Sequence, residues 1–171
     1  PGASPCAPGE GATPVITVIA YGAPGPQGSK RYVGKGVMVE SSKKVKPWRE
    51  AVKHAAIEAR FDELTLEMPP PLDGPLLVEF AFTFARPKGH YRTGRNAHLL
   101  RDSAPAHPAV YPDLSKLIRS TEDALTDAGV WADDARIVRY RDPRKIYAGS
   151  ADPDVLHAPG AVIRVWEVTF P

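Results

Sequence analysis

Residues 112–138 read PDLSKLIRSTEDALTDAGVWADDARIV, and the spacing within this run predicts a helix leading into a strand. Leu114, Leu117, Ile118, Thr121, Ala124, Leu125 and Ala128 recur every three or four positions, which lays one buried stripe along an α-helix. Asp113 stands where an N-cap belongs, and Gly129 stands where a left-handed C-terminal cap falls. The positive end of the helix favours an ionised Asp113. Ser115, Arg119 and Glu122 share a polar flank, from which Asp123 points away. After the helix comes the adjacent pair Asp133 and Asp134. Taken alone, Asp113 reads as a cap and the pair as a solvated turn. Together they suit a cation, because neighbouring carboxylates repel and a cation relieves the repulsion. A hard ion such as Mg²⁺ takes oxygen ligands, commonly one or two carboxylates completed by water and substrate phosphate. The run therefore points toward phosphodiester chemistry.

Working outward, residues 15–21, VITVIAY, are β-branched and almost continuously apolar, as in a strand buried on at least one face. The turn 22–30 breaks that strand, and residues 32–39 read as another. Residues 46–60 form the second helical pattern, with Pro47 early and Trp48, Ala51, Val52, Ala55, Ala56 and Ala59 on one face. Pro69, Pro70 and Pro71 end it. Residues 76–85, LLVEFAFTFA, give the next strand, predicted to lie beside another. Residues 86–111 have no period, an unusual length of loop unless it is functional or disordered. Residues 135–140 and 145–148 read as strand pieces, 152–160 as a link, and 161–170 as a last alternating strand. This order defines an α/β or α+β single domain, a mixed β-sheet packed against helices. Trp48, Trp131 and Trp166 are read as core. Residues 1–14, rich in Pro, Gly, Ala and Ser, have too little apolar surface to offset ordering and read as a disordered tail, leaving 15–171 as the folded unit.

Composition narrows the class. The 171 residues, 43% hydrophobic and 25% charged, suffice for one domain with a real core. A net charge of +2 does not by itself announce a nucleic-acid binder. Its distribution says more, since Arg86, Lys88, Arg92, Arg95 and Arg101 are set against one acid, Asp102, before the helix. Such a cationic segment is placed to contact phosphates, although basic loops are mostly solvated surface. Its histidines, His90, His98 and His107, lack compact zinc-ligand spacing. The lone Cys6 excludes an intrachain disulfide framework and fits a reducing cytoplasm. No apolar run approaches a membrane span and no signal-peptide pattern opens the sequence, so a cytoplasmic location without membrane association is expected. The turn GAPGPQGSKR, residues 22–31, lacks both Walker spacing and the dinucleotide fingerprint. It reads as a turn presenting Lys30 and Arg31.

PDLSKL followed by DALTDAGVWADDARIV resembles the signature of RusA-type Holliday junction resolvases, endonucleases of bacteria, prophages and phages. The family pattern runs Asp, any residue, Asp, Asn, then Lys on the next turn, a DAL triplet, and a DDAQV strand start. Here the first Asp is Asp113, the second Asp position holds Ser115, the Asn position Lys116 and the Lys position Arg119. The triplet is Asp123, Ala124 and Leu125, and the acidic pair is Asp133 and Asp134. The turn 22–31 belongs to the same resemblance.

This resemblance implies a RusA-like fold and a bacterial or phage-encoded endodeoxyribonuclease of recombination and repair. It further implies dependence on Mg²⁺, with Mn²⁺ as an alternative, and a homodimer that presents two equivalent sites to four-way junction DNA. The expected products are symmetric nicks with 5′-phosphate and 3′-hydroxyl ends. Asp113, Asp133 and Asp134 would hold the metal, with Arg119 stabilising phosphate charge beside them. Lys30, Arg31, Arg86, Lys88, Arg92, Arg95, Lys116 and Lys145 would contact DNA, or Lys145 would be a sheet-edge charge. Ser115 departs from the pattern by replacing an anionic ligand with a neutral hydroxyl. Three consequences stay open: weaker metal binding, recruitment of Glu122, or water in the gap. An alternative reading follows, a junction- or duplex-binding protein whose cleavage is weak or lost.

Overall fold

The computed structural model describes residues 13–28, 30–32, 38–40, 43–62 and 64–168. The expected tail falls outside them except at Thr13 and Pro14, and so does the end of the last expected strand, at Thr169 and Phe170. In chain order the elements are β1 (Ile16–Tyr21), β2 (Lys30–Tyr32), β3 (Met38–Glu40), α1 (Val45–Arg60), β4 (Leu76–Phe84), α2 (Leu114–Asp127), β5 (Ile137–Tyr147) and β6 (Gly160–Glu167). Four strands make one sheet in the order β1-β6-β4-β5. The β1–β6 and β6–β4 pairs are antiparallel, and β4–β5 is parallel. A parallel pair needs a crossover, and the segment carrying α2 supplies it. The result is an α+β domain with a mixed sheet.

Alternation along the strands decides which side the helices cover. Val78, Phe80 and Phe82 of β4, Ile163 and Val165 of β6, and Val18 and Ala20 of β1 join Trp48, Val52 and Ala56 of α1 and Leu117, Ala124 and Leu125 of α2 in one core. Trp48 also ties the helices together, its indole N–H donating to Thr121 Oγ1 at 3.0 Å. Across the helix surfaces Arg49 pairs with Asp123 at 3.2 Å and Asp127 at 3.0 Å, which explains why Asp123 turns from the polar flank. All three tryptophans are buried. One member of the expected α1 stripe departs from it: Ala59 is exposed, while Arg60 is buried and bonds the Ala128 carbonyl at 2.6 Å.

Three expected boundaries are corrected. Of the anticipated 32–39 strand, residues 33–37 lie outside the described residues, and its described ends belong to two short strands, β2 and β3, paired antiparallel. The two pieces 135–140 and 145–148 form one strand, β5, which begins only at Ile137 because 134–136 make a 3₁₀ turn. The break read at 141–144 is an irregularity within it. The β4–β5 register shifts between Glu79 and Ala81, and Asp142 takes φ +37°. An edge strand tolerates this and the adjacent Pro143, because one side of its backbone has no ladder to complete. The aperiodic 86–111 segment is organised by two 3₁₀ turns and an antiparallel bridge between Tyr91 and Leu100.

The other side of the sheet carries charge. Glu79 of β4 faces Arg164 of β6 in register, and Arg144 of β5 reaches Glu79 at 2.8 Å, Asp152 at 2.8 Å and Asp154 at 2.6 Å. Arg164 also pairs with Asp154. The 152–160 link is thereby clamped under the sheet. Among the described residues no helix is long and apolar enough to cross a membrane.

Candidate active site

Helix α2 places the site. At its C-terminus Gly129 takes φ +70°, the Val130 N–H bonds the Leu125 carbonyl at 3.0 Å, and the Gly129 N–H bonds that of Thr126 at 2.9 Å. This 6→1 and 5→2 pairing stops the helix with its carbonyls satisfied. The chain then turns through Asp133 into β5. At the other end Asp113 occupies the N-cap position, as expected, but its side chain makes no capping hydrogen bond. It instead pairs with Lys116 at 2.8 Å. That ammonium holds the Asp113 carboxyl below the ordinary carboxylate range, with Lys145 adding to the effect, and Asp113 in turn raises the Lys116 pKa.

The turn after β1 lies along the first two turns of α2. Ser120 Oγ donates to the Gly25 carbonyl, and the Gln27 N–H donates to the Lys116 carbonyl at 3.0 Å. Position 25 must be glycine at this closeness, since a Cβ there would collide with the backbone carbonyl of Lys44. Between turn and helix runs an open cleft of about 410 Å³ lined by Gln27, Gly28, Ser115, Lys116 and Arg119. Two segments ninety residues apart in the resemblance thus meet, roughly as such loop-to-helix packing brings distant chain together, with Lys116 and Arg119 both on the wall. Gln27 Oε1 is buried without a hydrogen-bond partner among the described residues. The sequence reading passed over Gln27; its place inside the GAPGPQGSKR turn was the available signal.

Glu122 is the largest departure from the sequence expectation. The three-and-four spacing puts it on a polar flank with Ser115 and Arg119, yet its relative exposure is only 8%. Tyr140 of β5 covers it and donates its hydroxyl to Glu122 Oε1 at 2.6 Å. Burial raises the Glu122 pKa; the Tyr140 hydrogen bond opposes that, Asp134 and Asp123 push further upward, and Arg119 pulls down. The Tyr140 pKa is raised too, by burial first and then by Glu122 and Asp134. Asp134 is therefore an electrostatic neighbour of Glu122. Asp133, by contrast, caps the following 3₁₀ turn, its carboxylate accepting from the Ala135 N–H at 2.8 Å.

Among the described residues no three His, Cys, Asp or Glu side chains converge on a single metal position. The donors are nonetheless of the right kind for a hard divalent cation. They are oxygen only, and Asp134 acts on the buried Glu122 as a neighbouring like charge, raising its pKa alongside burial. One or two carboxylates are the usual protein share of a Mg²⁺ site, so the set fits such an ion.

The remaining expected DNA contacts are dispersed. Arg86 stacks on Tyr147, 4.4 Å from the ring centroid, and donates to the Pro105 carbonyl. Arg92 is paired with Asp102 at 2.8 Å. Lys88 and Arg95 are exposed on the two 3₁₀ turns. Lys145 is no loose edge charge: its ammonium donates to the Val110 carbonyl at 2.7 Å and the Pro112 carbonyl at 2.9 Å, fixing the approach to α2. Lys30 and Arg31 lie in β2, and their side chains fall outside the described set.

The structure is a single mixed α+β domain in which helix α2 carries carboxylates beside a cleft walled by Lys116 and Arg119. The chain matches the family Endodeoxyribonuclease RusA over residues 22–155 and belongs to that family. That family consists of endodeoxyribonucleases of the junction-resolving kind. The match takes in the turn after β1, α2, β5 and the Asp152–Asp154 clamp. No curated protein matches the chain.

Proposed function

We propose that the protein cuts four-way DNA junctions in a reaction dependent on a divalent cation, Mg²⁺ or Mn²⁺, within recombination and repair. The reading rests above all on one juxtaposition, the cationic cleft of Lys116 and Arg119 beside the carboxylates of Asp113, Glu122 and Asp134. Asp134 and Glu122 would hold the cation, with Asp113 and Asp133 at the margins of the site. Glu122 would stand in for the acidic ligand that Ser115 lacks, exchanging its Tyr140 hydrogen bond for the ion. When bound, such a cation supplies Lewis acidity to the phosphodiester and makes water a better nucleophile. Arg119 would grip the non-bridging phosphate oxygens through its planar fork and stabilise their growing charge. Lys116 would release Asp113 as it turns to the strand backbone. A junction offers matched strands, and a twofold homodimer would offer matched sites.

A second reading is favoured by the Asp113–Lys116 pair and the neutral Ser115: a protein that binds junctions and cuts weakly. Incubating the full chain with Mg²⁺, a labelled four-way junction and a linear duplex of the same sequence separates the two. Paired incision of the junction alone is the expected result. Junction binding without incision would support the second reading, and equal cutting of both substrates would remove junction selectivity.

A further inference from the structure

Tyr111 stands two residues before Asp113 and is 68% exposed. Two cavities open on its flanks, of about 170 Å³ and 250 Å³, and both are lined by Phe84, Ala85, Tyr111 and Pro112. Tyr147 forms the far wall of the smaller one. The walls are braced. Tyr147 is buried, with Arg86 over its ring and His90 edge-on at 5.4 Å. Lys145 pins the shoulder on either side of Tyr111 by bonding the carbonyls of Val110 and Pro112.

The setting identifies the occupant. The larger cavity is walled by Pro24 and Pro26, and the next two residues of the same turn, Gln27 and Gly28, wall the cleft of Lys116 and Arg119. The Tyr111 phenol is also an electrostatic neighbour of Lys116. The two mostly apolar cavities on either side of Tyr111, edged by Lys44 and Lys145, thus adjoin the cationic cleft across a single loop and a single helix end. A nucleotide has this division, a flat apolar base joined to an anionic phosphate, and aromatic side chains hold bases by stacking whatever their identity.

We infer that the Tyr111 cleft receives an unstacked nucleobase of the DNA strand whose phosphate lies in the Lys116–Arg119 cleft, with Tyr111 as the stacking platform. The inference rests on the DNA-cutting reading above and names the part of the substrate that this surface takes. Taking a base out of the stack costs least where its pairing is already broken, so an opened branch point is where this surface would take one.

The test measures affinity for a synthetic four-way junction in Ca²⁺, using the parent, Tyr111→Ala and Tyr111→Phe, and then repeats it on junctions carrying one abasic nucleotide at successive positions around the branch. Loss of about ten-fold for Tyr111→Ala, retained affinity for Tyr111→Phe, and one abasic position at which Tyr111→Ala costs nothing further are expected. Equal affinity of Tyr111→Ala and parent would overturn the inference, as would an undiminished Tyr111→Ala loss at every abasic position. If the parent itself binds junction no better than duplex, the junction reading fails first and the inference with it. If the parent binds selectively and Tyr111→Ala is neutral, the base site alone is wrong.

Discussion

The two sides of the molecule handle carboxylates in opposite ways. Beneath the sheet Glu79, Asp152 and Asp154 meet Arg144 and Arg164 at hydrogen-bond distance, and the arginines lower the Asp152 and Asp154 pKa values. Beside α2, Glu122 is buried against a tyrosine hydroxyl, feels the charge of Asp134, and has its pKa raised. Saturated carboxylates of the first kind fasten the 152–160 link and leave nothing for a ligand to satisfy. Carboxylates of the second kind hold an electrostatic deficit that a cation would relieve. One set carries structure, and the other is available for chemistry.

The largest expected effect is on cutting. Asp134→Asn lowers junction cleavage on the order of 100- to 1000-fold, while its melting temperature stays near that of the parent because Asp134 is exposed. A variant that cuts at the parental rate would move the site elsewhere. The mirror-image substitution sharpens the contrast. Asp154→Asn leaves two arginines short of a partner and costs about 3 kcal/mol in urea unfolding, with cleavage per folded molecule retained. Its pH signature follows from the sign of the shift. The folded-state pKa of Asp154 is depressed, so its stabilisation is present above the ordinary value of 3.8 and lost as pH falls through the lower folded value. The parent therefore loses stability in that acid window more steeply than Asp154→Asn does.

Glu122 runs the other way, and the effect is smaller. Its folded pKa is raised, so its contribution is complete below the ordinary 4.5 and is lost as pH rises through the folded value. Glu122→Gln keeps an acceptor for Tyr140 and removes the charge. Without added metal it melts higher than the parent at neutral pH, by about 2 °C, and the difference closes toward pH 4.5. A lower melting temperature for Glu122→Gln at neutral pH would mean that the carboxylate is already compensated.

How much of this was legible follows from how local each feature is. The α2 stripe and its glycine cap are written in three-and-four spacing and appear where that spacing puts them, and the three tryptophans read as core are buried. The burial of Glu122 is not written there, since it depends on Tyr140 arriving from another strand. The Arg144–Arg164 clamp likewise depends on the register that sets Glu79 opposite Arg164, residues far apart in the chain. The merging of the two pieces of β5 was hidden by Pro143 and Asp142, which signal a break but are absorbed by an edge strand. The packing of the 22–28 turn on α2 required a glycine at 25 for reasons visible only once Lys44 is placed beside it.

Calorimetric titration of Mg²⁺ into the parent, Asp134→Asn and Asp154→Asn compares the two carboxylate regions directly. The account predicts binding to the parent, binding to Asp154→Asn with the same affinity, and loss of binding in Asp134→Asn. Binding that survives in Asp134→Asn but disappears in Asp154→Asn would contradict it.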